Sequence, residues 1–464
     1  MKFSPKDTVG LVLVAGTLGV LLVHIGPEGH AARHPTAMAD GGRSVTVAAR
    51  ERTVAFVDVN VIPMDSRRPL YRQVVLVEGD FVKRIGPVGQ VTIPPNAVQI
   101  VGDGSQYIVP GLTDAHVHLA EGAESWLGLF VANGVTTVFN LQGDDRHLGL
   151  RDRLRDGSLL GPTLYTSGPY TNLPEIETPA DAAQAARDQA NDGYDFIKVH
   201  GELSEDAFRQ LVETADEVGI PVVGHAPRNL PFDRVLENGQ AGVAHAEELI
   251  YTRFGGLVEA DLRSVAIQMA DAGTWLTPTL STFGNIVAQW GTQDGLNAGI
   301  RSRNAMFLPG SILDDWLKDR TYSGRDPADQ PLIEEMYEFQ KPLVRVFHEV
   351  GVPMLAGTDT PLPVMYPGFS IHDEIAALQD AGLSPFEALS AATANAGRFV
   401  REWVDASARF GTVTEGARAD LILVGSNPLD DLDLLRRPQG VMVRGQWFDR
   451  EALDVLLEVA AGNR

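Results

Sequence analysis

Apolar and polar positions alternate with two different periods along this chain, and the change of period marks its organisation. From Thr53 onward, TVAFVDVNVIPMD, QVVLVEGDFVKRIGP and VQIVGDG are short β-branched runs broken by Gly, Pro and Asp, the pattern of a small antiparallel unit. ADLILVGSNP and GVMVRGQWFD repeat that character near the other end. The two stretches, 50–108 and 405–455, predict one composite β-sandwich domain built from both termini. Everything between them, 109–404, reads as an insertion.

Within the insertion, apolar strands alternate with longer amphipathic segments, which argues for βα units and a parallel sheet. Eight strands are expected, at GLTDAHVHL, GVTTVFNLQ, PTLYTSG, YDFIKVH, IPVVGHA, AGVAHAE, TWLTPTL and VPMLAGTD. SEDAFRQLVETADEVG and SPFEALSAATANAGRFV carry the 3.6-residue period of surface helices. Eight such units predict an α/β fold, a (β/α)8 TIM barrel, whose active site gathers at the C-terminal ends of the strands. Residues 282–340 are more than one crossover needs and predict an insertion at the barrel mouth, a lid.

The first thirty-nine residues follow neither pattern. MKFSPK is a short basic start, and residues 8–25 form an uncharged apolar run. Such a start reads as a signal peptide or a membrane anchor, with Ala37-Met38-Ala39 as a candidate cleavage site. An exported protein, periplasmic, extracellular or held at the membrane by this segment, is expected.

Composition narrows the chemistry. With 464 residues and 44% hydrophobic content, the chain can bury a large core. Lys plus Arg number 38 against 61 Asp plus Glu, a formal charge of −23 that would repel a nucleic acid. There is no cysteine, which removes disulfides, a thiol nucleophile and thiolate metal sites.

Histidine carries the strongest signal. Five of the eleven, His24, His30, His34, His147 and His348, lie in the leader or in expected loops and helices. His116 and His118 close strand one, His225 strand five and His245 strand six, while Asp359 closes strand eight. Alternate residues of a strand share a face, so His116 and His118 project together into the barrel mouth. An HxH pair alone is weak, but imidazoles and a carboxylate at successive strand ends suit Zn²⁺ or a similar divalent ion. Lys198, inside strand four, is expensive to bury as an ammonium. It either points outward to a helix carboxylate or is carbamylated by CO2 and becomes an anionic ligand; the residues alone leave both readings open. His200, two positions on, shares its face and is a candidate substrate contact, as are Arg228 in GHAPRN and Thr277 in LTPTL, where Thr279 lies on the same face. His372 is read as structural.

PGLTDAHVHL, FIKVH, VVGHA, AGVAHAE and AGTD, in this order, resemble the amidohydrolase superfamily. The strand-four lysine and the spacing between GHA and AHAE are similar to the binuclear branch that contains Xaa-Pro dipeptidases (prolidases), ochratoxinase-like amidases and imidazolonepropionase. The resemblance runs over about residues 50–450. It implies two divalent metal ions, Zn²⁺ foremost: His116, His118 and Asp359 on the more buried one, His225 and His245 on the more exposed, and carbamylated Lys198 between them. It also implies that Asp359 takes a proton from the attacking water and returns it to the leaving nitrogen. A small substrate with a C–N bond, a dipeptide or an N-acyl amino acid, is expected. A lactonase, a phosphotriesterase and a non-catalytic metal-binding barrel are the alternatives, because one metal site serves several chemistries. A homo-oligomer is expected.

Overall fold

The computed structural model describes residues 53–462. The apolar run at 8–25 and the Ala37-Met38-Ala39 site lie outside the described residues. No helix among the described residues is long and apolar enough to cross a membrane.

The chain opens with β1 (Val54–Val61), β2 (Leu70–Glu78), β3 (Phe81–Pro87), β4 (Val98–Val101) and β5 (Tyr107–Pro110). Next come β6 (Leu112–Val117), β7 (Val135–Asn140), β8 (Thr163–Thr166), β9 (Ile197–Val199), β10 (Val222–Gly224), β11 (Gly242–Ala244) and β12 (Trp275–Thr277). It ends with β13 (Leu421–Val424), β14 (Gly440–Val443) and β15 (Gln446–Asp449) before a helix at Arg450–Gly462.

The terminal stretches share one eight-stranded sheet, ordered β15-β14-β13-β5-β1-β2-β3, with β4 also along β1. Both terminal stretches thus join in one composite unit, as expected, and the hydrogen bonds trace a single continuous sheet where two layers were expected. The bend in β1 explains how. Its register with β2 slips between Val57 and Val59 and again between Val59 and Val61, and Asp58 between them has φ 59°. Bulges of this kind turn a strand. The other edge of β1 accordingly pairs with β4 up to Val57 and with β5 from Asn60. Asp58 is held at the bend by Arg72, whose Nε and Nη2 both lie 2.9 Å from its carboxylate oxygens. Phe56, Val75, Ile108, Leu421 and Met442 belong to the core of this unit.

The second unit is an α/β, TIM-barrel-like domain. β6-β7-β8 and β9-β10-β11-β12 form two parallel sheets, and single bridges from Ser167 to Phe196 and from Thr171 to Val199 join them. The helix at Glu205–Val218 follows β9; Ser204 caps its first turn through the Ala207 N–H, and Gly219 ends it at φ 76°. Seven of the eight expected strands form. The eighth stretch, 352–359, forms no continuous strand but hydrogen-bonds to both neighbours: the Leu276 N–H donates to the Pro353 carbonyl and the Leu355 N–H to the Leu276 carbonyl, each at 2.9 Å, while the Ala115 N–H donates to the Ala356 carbonyl at 2.9 Å and the Asp359 N–H to the His116 carbonyl at 2.7 Å. Pro353 has no N–H to give a ladder. The Thr358 N–H is drawn to Asp114 Oδ1 at 3.0 Å while its hydroxyl donates to Oδ2 at 2.6 Å. The stretch still lies tight against β6: a Cβ on Gly357 would sit 2.8 Å from the Cβ of His116.

Residues 282–340 hold helices at Leu280–Gln289, Asp294–Ile300 and Gly310–Lys318, and the start of the long helix Gln330–Val350. This insertion packs against the loop that follows Asp359, where Trp316 Nε1 donates to the Pro361 carbonyl at 2.8 Å.

Candidate metal centre

Four strand ends bring the expected residues together. His116 lies within β6 and His118 just beyond it; His225 follows β10 and His245 follows β11. Lys198 is the middle residue of β9 and is fully buried, as is His116. The rings run in sequence: His118 to His116 at 5.2 Å between centroids, His116 to His245 at 4.6 Å, His245 to His225 at 4.8 Å, and His225 to His200 at 4.4 Å. Tyr170 ends the row, stacked on His200 at 4.4 Å and 10°.

Three of these imidazoles face one carboxylate. Asp359 Oδ1 lies 2.6 Å from His118 Nε2 and 3.3 Å from His116 Nε2, and Oδ2 lies 3.9 Å from His245 Nε2. Burial, then the neighbouring Lys198, holds the His116 and His225 imidazoles well below the ordinary histidine range. Burial likewise pushes His245 and His200 down to about 4. Burial alone would raise Asp359, but His116, His118 and His245 around it prevail and hold it well below the usual carboxylate range. The centre is therefore a carboxylate ringed by imidazoles.

Such a set is short of positive charge. Nδ1 of His116 and of His118 is buried without a hydrogen-bond partner, so no tautomer satisfies both nitrogens of these rings. One donor atom from each of His116, His245 and Asp359 lies within 4.8 Å of the others, a group that could hold a metal ion. The donor set of imidazole nitrogen and carboxylate oxygen fits a divalent cation, which would satisfy the facing lone pairs together.

Lys198 does not point outward. Its Nζ lies 3.3 Å from His116 Nε2. Among the described residues no carboxylate comes within ion-pair distance of it, and burial lowers its pKa to about 8, opposed by the field of Asp359 and Glu248.

The candidate substrate contacts fall in different places. His200 lies in the row of rings. Arg228 is committed to Glu248: Nε lies 3.1 Å from both carboxylate oxygens and Nη2 2.5 Å from Oε1. Its guanidinium also covers the Tyr251 ring at 4.7 Å. Glu248, fully buried, has Oε1 3.2 Å from His225 Nδ1, close enough for charge but not aligned as a hydrogen bond. Thr277 lines a cavity of about 20 Å³ with Ala115, Phe139, Phe196 and Phe399. Thr279 has left the strand, with φ 53°, and its hydroxyl meets His245 Nδ1 at 2.9 Å. His372 is buried elsewhere, its Nε2 on the Asn133 carbonyl at 3.0 Å.

The profile of the amidohydrolase family matches residues 107–448, from β5 through β15. The chain belongs to the amidohydrolase family. Membership supports a hydrolase acting on C–N bonds, in a family that is generally metal-dependent. This amidohydrolase is similar in structure to bottromycin amidohydrolase, at 27% identity and a TM-score of 0.70 over 89% of this chain and 91% of that one. It shares its fold with a Xaa-Pro dipeptidase, at 18% identity and a TM-score of 0.64 over 86% and 100% of the two chains. In sequence it is 22% identical to the ochratoxinase of Aspergillus niger, with 86% of each chain covered.

Sequence reasoning about this amidohydrolase missed Glu248, Tyr170, Asp114 and Glu374. Glu248 sits in AHAEE, three residues after His245, and a glutamate in the first turn of a helix ordinarily faces water; only its burial marks it. Glu374 had no motif to announce it.

Proposed function

We propose that this amidohydrolase cleaves an amide C–N bond of a small substrate, a dipeptide or an N-acyl amino acid, using two divalent metal ions, most naturally Zn²⁺. The observation that carries this reading is the convergence of His116, His118 and His245 on Asp359, beside a buried lysine that has no counter-charge. His116, His118 and Asp359 would hold one ion and His225 and His245 the other. Lys198 is suited to react with CO2, because an amine with a pKa near 8 and no carboxylate partner is largely uncharged in mildly basic solution. Its carbamate would offer anionic oxygen to a divalent ion where the ammonium offers none.

When bound, the ions supply Lewis acidity and lower the pKa of a water toward neutrality. The chain's own residues do the rest. Asp359 Oδ1 is engaged by His116 and His118, which leaves Oδ2, with only the 3.9 Å contact to His245, to take the proton of the attacking water. The same oxygen returns it to the leaving nitrogen, so one carboxylate acts as base and then as acid. The neutral His200 ring, stacked on Tyr170, gives the substrate a flat polar wall. The names of the three relatives, an ochratoxinase, a Xaa-Pro dipeptidase and an amidohydrolase, favour amides over other acyl or phosphoryl substrates. Export through the N-terminal apolar run would suit the breakdown of peptides or amides outside the cytoplasm.

The test is a panel of dipeptides, N-acyl amino acids, lactones and paraoxon offered to the metal-loaded protein, with the Asp359→Asn variant beside it. Amide turnover reduced about 10²–10⁴-fold in the variant is expected. Faster hydrolysis of a lactone or of paraoxon would transfer the site to those chemistries.

A further inference from the structure

Glu374 is the one fully buried carboxylate in the helix Ser370–Asp380, and no Lys, Arg or His pairs with it among the described residues. Its partners are backbone amides: Oε1 accepts from the Leu280 N–H at 3.1 Å and Oε2 from the Ser281 N–H at 2.8 Å. Those amides open the helix Leu280–Gln289, where exposed N–H groups and the helix dipole favour an anion. Glu374 thereby clamps the turn that leads out of β12.

That turn reaches the metal centre twice. Thr279, immediately before the clamped amides, meets His245 Nδ1 at 2.9 Å. Thr282, just after them, donates its hydroxyl to the Thr358 carbonyl at 2.7 Å and so holds the residue that precedes Asp359. His245, Thr279 and Asp359 have φ of 70°, 53° and 56°. A β-branched residue such as threonine rarely adopts that conformation, and strain of this kind persists where surrounding structure imposes it. The two hydrogen bonds that the Leu280 and Ser281 amides donate to Glu374 hold the turn immediately after Thr279.

We propose that Glu374 is a positioning residue of the metal centre: through the turn Thr279–Thr282 it sets the ring of His245 and the placement of Asp359, although it touches neither. This rests on the metal-centre reading above. With Thr279 Oγ1 engaged at Nδ1, the His245 nitrogen turned toward Asp359 is Nε2. Partners that hold a ligand ring in this way typically change metal affinity or activity by about 10–100-fold when removed.

The experiment loads the full-length protein with Co²⁺ and records its visible spectrum, its Co²⁺ affinity and the unfolding midpoint of the metal-free form. Wild type, Thr279→Val, Thr279→Ser and Glu374→Gln are compared. Thr279→Val is expected to shift the Co²⁺ bands and weaken affinity by about 10–100-fold, and Thr279→Ser to restore both. Glu374→Gln, which keeps the shape but turns one acceptor into a donor, is expected to shift the bands in the same direction as Thr279→Val. Should Glu374→Gln fail to fold, Thr282→Val replaces it and is expected to show that same shift. Folded variants with wild-type bands and affinity, or with a lower unfolding midpoint alone, would overturn the proposal. A wild-type protein that binds no Co²⁺ would instead overturn the metal-centre reading.

Discussion

Gly224→Ala is the substitution that most directly couples the barrel backbone to the candidate centre. Gly224 ends β10 at φ 116°, a conformation that side-chain-bearing residues rarely adopt. A Cβ there would lie 2.5 Å from Lys198 Cδ and 3.0 Å from Cε, and would press on the Val199 carbonyl oxygen. That oxygen cannot retreat freely, because Gly224 pairs with Val199 in the β9–β10 ladder. The lysine stem must therefore yield, and with it the Nζ that sits 3.3 Å from His116 Nε2. Overpacking a filled interior costs about 1–3 kcal/mol, and backbone strain adds about 1–3 kcal/mol. Together these take a large part of the roughly 5–15 kcal/mol that holds a domain folded. Gly219→Ala is the control: φ is 76° and nothing lies within 4 Å of the added Cβ, so only the left-handed strain of about 1–2 kcal/mol remains. Denaturant unfolding of both variants, with metal content measured per chain, decides. Gly224→Ala should be the less stable by a few kcal/mol and should lose metal, whereas Gly219→Ala should keep it. Equal stability and full metal in both would refute the packing of Lys198 against β10.

Three further outcomes are expected. Asp359→Asn should retain most of the bound metal and lose about 10²–10⁴-fold in kcat; a variant with most of its activity would remove Asp359 from proton transfer. Lys198→Met removes a buried amine at little change in volume, so the unfolding midpoint should stay level or rise while bound metal falls; full metal occupancy would show that Lys198 contributes no ligand. His372 is buried with its pKa lowered by that burial to about 4, so between about 6.5 and 4 the unfolded chain binds the extra proton and acid destabilises the fold. The metal-free wild type should lose about 3 kcal/mol more than His372→Asn as pH falls through that window, and parallel losses in the two proteins would contradict it.

Much of this was legible in the sequence because period-2 and period-3.6 patterns report burial directly. Seven barrel strands and the helix after β9 stand where the pattern puts them. The eighth stretch forms no continuous strand: Pro353 has no N–H, and the Thr358 amide is shared between Asp114 and the His116 carbonyl, a side-chain competition that hydropathy does not record. The continuity of the terminal sheet was not legible either: the bend at Asp58 lets one strand serve β2, β4 and β5 in a single sheet. Residues at strand ends were readable as neighbours because their spacing repeats with the fold. Glu248 and Glu374 were not, because a helical glutamate looks solvated until its neighbours are seen to bury it.

The central claim is that His116, His118, Lys198, His225, His245 and Asp359 form one binuclear metal site. A crystal structure of the metal-loaded protein with anomalous diffraction at the zinc edge tests it most directly. Two anomalous peaks among these six side chains, with density extending beyond Lys198 Nζ, are predicted. A centre with no peak, or with a single ion and an unmodified lysine, would contradict it.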